Sequence, residues 1–249
     1  MLKYSKIASK IVALIIKTIR EEIKPGLTGK DLEKIAISIM NKKQAKSSSF
    51  GYGGFPSSIC VSINDELTHG VPDDRPFCFG DLISVDVACS YKGFHGDAAV
   101  TILLEDPFLS EGDFYNEKRR LIEVTESSLN EAIKKIIPGK TTTQDLGFLI
   151  QSYVEKEKYF VIREYGGHGI GRRLHMDPFI PNYKIDNKGE LILPGMIICI
   201  EPLVQCGNNE IKISSNGNTI VSSKGFLNAH FEHTISIGNK NVEILTLAT

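Results

Sequence analysis

The chain repeats itself. Ile23-Lys24-Pro25-Gly26-Leu27-Thr28 with Asp31-Leu32 returns as Ile136-Ile137-Pro138-Gly139-Lys140-Thr141-Thr142 with Asp145-Leu146, and each block lies between two stretches of helical apolar spacing. Internal similarity limits the architecture more than any single segment can. In each copy Pro-Gly ends one helix, because proline lacks an amide donor and glycine accepts left-handed dihedrals. A threonine then caps the next helix with an aspartate three residues on, Thr28/Asp31 and Thr142/Asp145. Beyond the caps run Leu32, Ile35, Ala36, Ile39 and Leu146, Leu149, Ile150, Tyr153, followed in both cases by strand-rich sequence. Pro-Gly-x-Thr alone is a common helix–turn–helix signal. Its return at matching places predicts a duplicated α+β unit, with halves about 1–110 and 111–249 forming one domain, 1–249, around a cleft. Nothing between the halves reads as a linker; 207–209 and 214–218 read as surface turns.

Composition excludes several classes. The chain has 249 residues, 41% hydrophobic and 24% charged, which sets aside disorder, collagen and a disulfide miniature. Its 29 basic residues against 30 acidic ones give no excess for neutralising phosphates, so no specific nucleic-acid partner is expected. Five scattered cysteines without a C-x-x-C argue against a disulfide framework and a thiolate zinc site. The apolar run Ile11 to Ile16 is too short for a signal-peptide core or a membrane span. Ile7, Ile11, Leu14, Ile15 and Ile19 predict a helix instead, and the expectation is a soluble, cytoplasmic protein without membrane contact.

The anomaly is carboxylates inside greasy strands. Leu82 to Leu104 reads as a hairpin turning at Lys92-Gly93, and folding it there brings Asp86 opposite Asp97 to within about a residue of register, a bulge being allowed. Like charges facing each other on a half-buried sheet repel and lose hydration, and a cation between them removes both penalties. In the second half Glu201 ends an apolar strand and Glu232 opens another. Between the hairpins, glycines surround His168, with His175 seven residues on. Singly, each acid has a structural alternative: Asp86 accepting backbone amides, Glu232 pairing with His233 or a lysine. Together, Asp86, Asp97, His168, Glu201 and Glu232 point to metal. Carboxylates with one imidazole suit Mn, Fe(II), Co or Zn, and four negative charges suit two divalent ions bridged by carboxylates, roughly 3.5–4 Å apart in such centres.

These residues resemble a known family. Cys60 to Asn64, His69-Gly70-Val71-Pro72, the Asp86…Asp97 hairpin, Gly167-His168 through Arg172 with His175, Ile200-Glu201-Pro202 and Phe231-Glu232-His233-Thr234 resemble the type I methionine aminopeptidases of the bacterial kind, over essentially the whole chain. The resemblance implies the pita-bread fold and removal of the initiator methionine from nascent chains whose second residue is small. It implies Asp97 and Glu232 as bridging ligands, with Asp86, His168 and Glu201 completing the set. It implies Glu201 as proton carrier, and His175 and His69 as catalytic groups that also contact the scissile peptide. It implies a methionine pocket at Cys60, Tyr52 and Phe55.

The pattern departs from the family in places. Phe55 stands where tyrosine is usual, Gly53 where many bacterial members carry histidine, Asn218 where they often place tryptophan, and Met176 where an acid or amide is common. The partners implied are N-terminal methionine peptides and nascent chains, with room for a transient contact with the ribosome; a monomer is the default. A proline-specific peptidase of the same fold and a non-catalytic binding module are the competing readings.

Overall fold

The computed structural model describes residues 2–108 and 112–247. The first repeat builds α1 (Leu2–Glu22), α2 (Gly29–Lys42), β1 (Lys46–Ser47), β2 (Cys60–Ile63), β3 (Glu66–Thr68), β4 (Leu82–Tyr91) and β5 (Phe94–Leu103). The second builds α3 (Asp113–Lys134), α4 (Thr143–Lys156), β6 (Phe160–Val161), β7 (Gly167–Gly169), β8 (Met176–Ile180), β9 (Ile197–Ile200), β10 (Leu203–Gln205), β11 (Ile211–Ile213), β12 (Ile220–Ser222), β13 (Asn228–His230), β14 (Glu232–Ile237) and β15 (Val242–Ile244). The boundary expected between the halves, at residues 110 and 111, lies outside the described residues.

Both expected capping boxes form. Thr28 accepts from the Asp31 amide while the Asp31 carboxylate accepts the Thr28 amide at 3.1 Å, and Thr142 and Asp145 repeat the exchange at 2.8 Å. Each threonine also makes an isolated antiparallel bridge, Thr28 to Pro76 and Thr142 to Leu191, so the two helix starts are tied down alike.

The main core lies between helices and sheet. Ala8, Val12, Ile15 and Ile19 of α1 are fully buried, whereas Leu14, expected on the same stripe, is 37% exposed on its flank. They share one cluster with Ile83, Val85, Val87 and Cys89 of β4 and Ala98 and Val100 of β5. Burial of each isoleucine or valine among them contributes about 1.5–3 kcal/mol. Successive strand residues point to opposite faces, so Ser84, Asp86, Ala88, Asp97 and Ala99 turn away from the helices. The central sheet runs β1-β4-β5-β14-β9-β7-β8, with β2 also on β4 and β15 also on β14. The halves join at β5 and β14, where Glu232 pairs with Ala99 and His233 with Ala98. Among the described residues, no helix is long and apolar enough to cross a membrane.

Candidate metal centre

The first two acids stand on a regular hairpin. Its turn residues Lys92 and Gly93 have φ of 50° and 76°, the left-handed pair that a two-residue connection matching the strand twist requires. The ladder then continues without a bulge, pairing Asp86 with Ala99 and Asp97 with Ala88. The acids are therefore diagonal neighbours on one face, two residues out of register, not nearly opposite as expected. Diagonal neighbours on one face stay within side-chain reach, and the two carboxyl groups lie close enough to share a hydrogen bond.

That face carries the remaining acids. Ala99, opposite Asp86, is also opposite Glu232. Thr234, two residues along β14, faces Cys199, and Glu201 lies two residues beyond Cys199. On the far side Gly169 pairs with Ile198, which turns the neighbouring His168 toward the face of Cys199. A Cβ at Gly167 would come within 2.1 Å of the Cys199 carbonyl oxygen, and one at Gly169 within 2.1 Å of that of Asp177. Only glycine lets β7 enter between its neighbours at these two places, and so holds His168 there.

Ligand atoms of Asp97, His168, Cys199 and Glu232 all lie within 4.8 Å of one another, as do those of Glu201, His230 and Glu232. His168 Nε2 is 3.7 Å from Glu232 Oε1 and 4.0 Å from Asp97 Oδ2, while Nδ1 is 3.0 Å from the Gly169 carbonyl. With Nδ1–H donating to that carbonyl, Nε2 presents its lone pair to the acids. Thr234 fixes the bridge between halves, its hydroxyl donating to Asp97 O at 2.7 Å and accepting the Asp97 N–H at 3.0 Å. His233 points elsewhere, Nδ1 meeting Thr246 Oγ1 at 2.9 Å, so it is not the partner of Glu232.

The cluster is electrostatically expensive as it stands. Glu232 is 2% exposed, Asp97 5% and His168 8%, with Asp86 and Glu201 half-buried. Burial, reinforced by Glu232, Asp86 and Glu201, pushes Asp97 well above the usual carboxylate range. Burial, with the charge of Glu201 and then Asp86, does the same to Glu232; burial and Asp86 raise Glu201; burial raises Asp86. Burial holds the imidazoles of His168 and His230 neutral, each lowered to about 4. Asp97 Oδ1 and Glu232 Oε1 are buried without any hydrogen-bond partner. Such oxygens cost free energy unless something positive meets them. A divalent cation fits this donor set of oxygens plus one neutral imidazole nitrogen.

Beside the acids opens a cavity of about 360 Å³. All five residues expected to bind substrate line it: Tyr52, Phe55, Cys60, His69 and His175. Gly53 and Asn218, two of the departures from the family pattern, line it as well. Cys60 is buried and directly opposite Asp86. His175 is exposed, its Nδ1 2.8 Å from the Tyr52 hydroxyl and its ring centroid 4.3 Å from that of His168. His69 holds φ at 53°, a strained conformation for a residue with a Cβ and one that recurs at functional sites, and it stands edge-on to Tyr165 at 5.4 Å. Sequence reasoning missed Tyr165, Leu174, Ile213 and Ile220, which also line the cavity, and Cys199 and His230 among the acids. His230 had a usable signal, since it precedes Glu232 by two residues in a stretch where polar and apolar residues alternate.

The model of metallopeptidase family M24 matches residues 3–239. Methionine aminopeptidase 1 of Bacillus subtilis is 42% identical over 239 residues, covering 96% of this chain and 93% of its own length. The crystal structure of the methionine aminopeptidase of Thermotoga maritima superposes with a TM-score of 0.92 at 40% identity, covering 98% of this chain and 96% of that one. A prolidase of Pyrococcus furiosus shares the pita-bread fold alone, with a TM-score of 0.77 at 20% identity over 100% of this chain and 64% of its own. Two helix-pair-and-sheet halves meeting at Ala99 and Glu232, matched across nearly their whole length, place the chain in metallopeptidase family M24, among its methionine aminopeptidases.

Proposed function

We propose that the chain removes the initiator methionine from nascent proteins whose second residue is small, by metal-dependent hydrolysis in the cytoplasm. The observation that carries this reading is the meeting of Asp86, Asp97, His168, Glu201 and Glu232 on one sheet face beside an apolar cavity, with two buried carboxylate oxygens left without a partner. These five residues would hold two divalent ions from among Co, Mn, Fe(II) and Zn. When bound, the ions supply an acidified water and polarise the scissile carbonyl.

The rest is done by the chain's own side chains. Glu201 accepts the proton of the attacking water and returns it to the leaving amine. His175, steadied at Nδ1 by Tyr52, turns Nε2 to the developing oxyanion. His69 orients the amide beyond the scissile bond. Cys60, Phe55, the Tyr52 ring, Leu174 and Ile220 give the apolar walls a thioether side chain requires. Residues 1–249 act in this reading as one domain and a monomer, meeting nascent chains with or without ribosome contact.

Cleavage of Met-Ala-Ser against Ala-Ala-Ser by protein loaded with Mn, Fe(II) or Co tests the reading. Release of methionine from the first peptide alone supports it; equal turnover of both, or none with any of the three metals, overturns it. A proline-specific activity is not favoured, because the prolidase likeness extends to the fold only. A non-catalytic module is not favoured either, because all five ligand positions are filled.

A further inference from the structure

His230 is 1% exposed, and its Nε2 lies 2.9 Å from Glu201 Oε1. Its backbone is held in an unusual way. The Thr101 hydroxyl accepts the His230 N–H at 2.8 Å and donates to the His230 carbonyl at 3.1 Å. The Thr234 hydroxyl grips the backbone of Asp97 by the same two bonds. Asp97 and Thr101 flank Ala99 by two residues on either side, just as His230 and Thr234 flank Glu232, and Ala99 and Glu232 are paired. A local twofold through that pair therefore gives His230 the place in the second half that Asp97 has in the first. The two positions are built alike, yet one presents a carboxylate and the other a ring.

We propose that His230 is a positioning residue for Glu201: its ring N–H donates to Oε1 and fixes the orientation of the carboxylate in the cleft. The inference rests on the reading of Glu201 as ligand and proton carrier. A ligating carboxylate is ionised and can only accept, so the imidazole must donate. The bond makes the two oxygens of Glu201 inequivalent, which a group that takes and returns a proton in one direction needs. Outer partners of this kind typically affect activity or metal affinity about 10–100-fold.

Three variants and two measurements test it. In steady-state cleavage of Met-Ala-Ser, His230→Ala should lower kcat about 10–100-fold with KM within about twofold, and His230→Gln, whose amide can donate, should recover at least about tenfold of that loss. In zinc-loaded protein labelled with ¹⁵N-histidine, one slowly exchanging ring N–H should vanish in His230→Gln, which assigns it, and should lose its protection in Glu201→Ala. A kcat for His230→Ala within twofold of the parent overturns the proposal, as does a His230→Gln variant no faster than His230→Ala. Undiminished protection of the ring N–H in Glu201→Ala overturns it too. Should His230→Ala not fold, the glutamine variant and the exchange measurement still decide. Were the parent inactive on the peptide, the proposed function would fail while the exchange measurement alone judged the bond between His230 and Glu201.

Discussion

The Tyr52 hydroxyl lies 2.8 Å from His175 Nδ1, joining residues 123 positions apart across the mouth of the cleft. The two rings stand edge to face at 4.9 Å. Tyr52 thus does two things, offering an apolar wall and holding the one exposed imidazole at the site in a single orientation. Tyr52→Phe separates them. A neutral hydrogen bond contributes about 0.5–1.5 kcal/mol, so kcat on Met-Ala-Ser should fall about 2–12-fold with KM little changed. Tyr52→Ala, which also removes the wall, should raise KM as well. Steady-state kinetics on both variants read the split, and an unchanged kcat in Tyr52→Phe would remove the role given to the hydroxyl.

Asp97→Asn should move stability in opposite directions with and without metal. In the metal-free protein at neutral pH the substitution removes a group whose ionisation burial and the neighbouring acids oppose, so folding no longer bears the cost of shifting its titration. The metal-free melting temperature should therefore rise, by about 2–4 °C for each kcal/mol relieved in a chain of this size. The same variant should bind less metal and lose most of the stabilisation that added Mn or Co gives the parent. Thermal melts with chelator and with metal, together with metal content per chain, check both halves; a metal-free variant less stable than its parent would contradict the crowding.

Metal uptake should release protons. Asp97, Glu201 and Glu232 all have raised pKa values in the metal-free protein, so they hold their protons to higher pH than free carboxyls, and ligation requires the ionised form. Affinity should rise with pH and fall as pH drops through those raised values. His168 does not oppose this trend, because burial already keeps its imidazole neutral down to about 4. Calorimetric titration with Mn in buffers of different ionisation enthalpy should give at least about one proton released per chain at pH 6.5, and fewer at pH 8. Proton uptake on binding would reverse the sign and refute the assignment.

The twin capping boxes offer a test of the duplication itself. Thr28→Ala and Thr142→Ala each remove a side-chain acceptor from a helix start, at a cost of about 0.5–2 kcal/mol. The two share no bonded partner, so the double variant should lose the sum to within about 0.5 kcal/mol. Urea unfolding of the metal-loaded protein measures all three, and a cost confined to one half would show that the copies are not energetically alike.

How much of this was legible beforehand depends on distance along the chain. The capping boxes, the Lys92-Gly93 turn and the strand-borne acids rest on near neighbours, so periodicity and turn chemistry reveal them. His168 was found because its flanking glycines are a local signal of close approach. His230 escaped because its meaning comes from Thr101, 129 residues away, and from Glu201 on another strand. Cys199 escaped in the same way, since an apolar strand conceals which of its residues share a face with the acids until β14 is laid beside β9. The offset of Asp86 from Asp97 was misjudged by one step, because a two-residue turn closes the ladder at Tyr91 and Phe94 and leaves no place for a bulge.

That closure has an evolutionary corollary. Substitution of Gly93 would strain the connection, and glycine or asparagine at Lys92 would ease it, yet either change would leave both carboxylates above the same surface. A single inserted or deleted residue between Ala88 and Asp97 would instead rotate one of them through the sheet into the helices. Descendants of this hairpin are free to drift in composition but not in length.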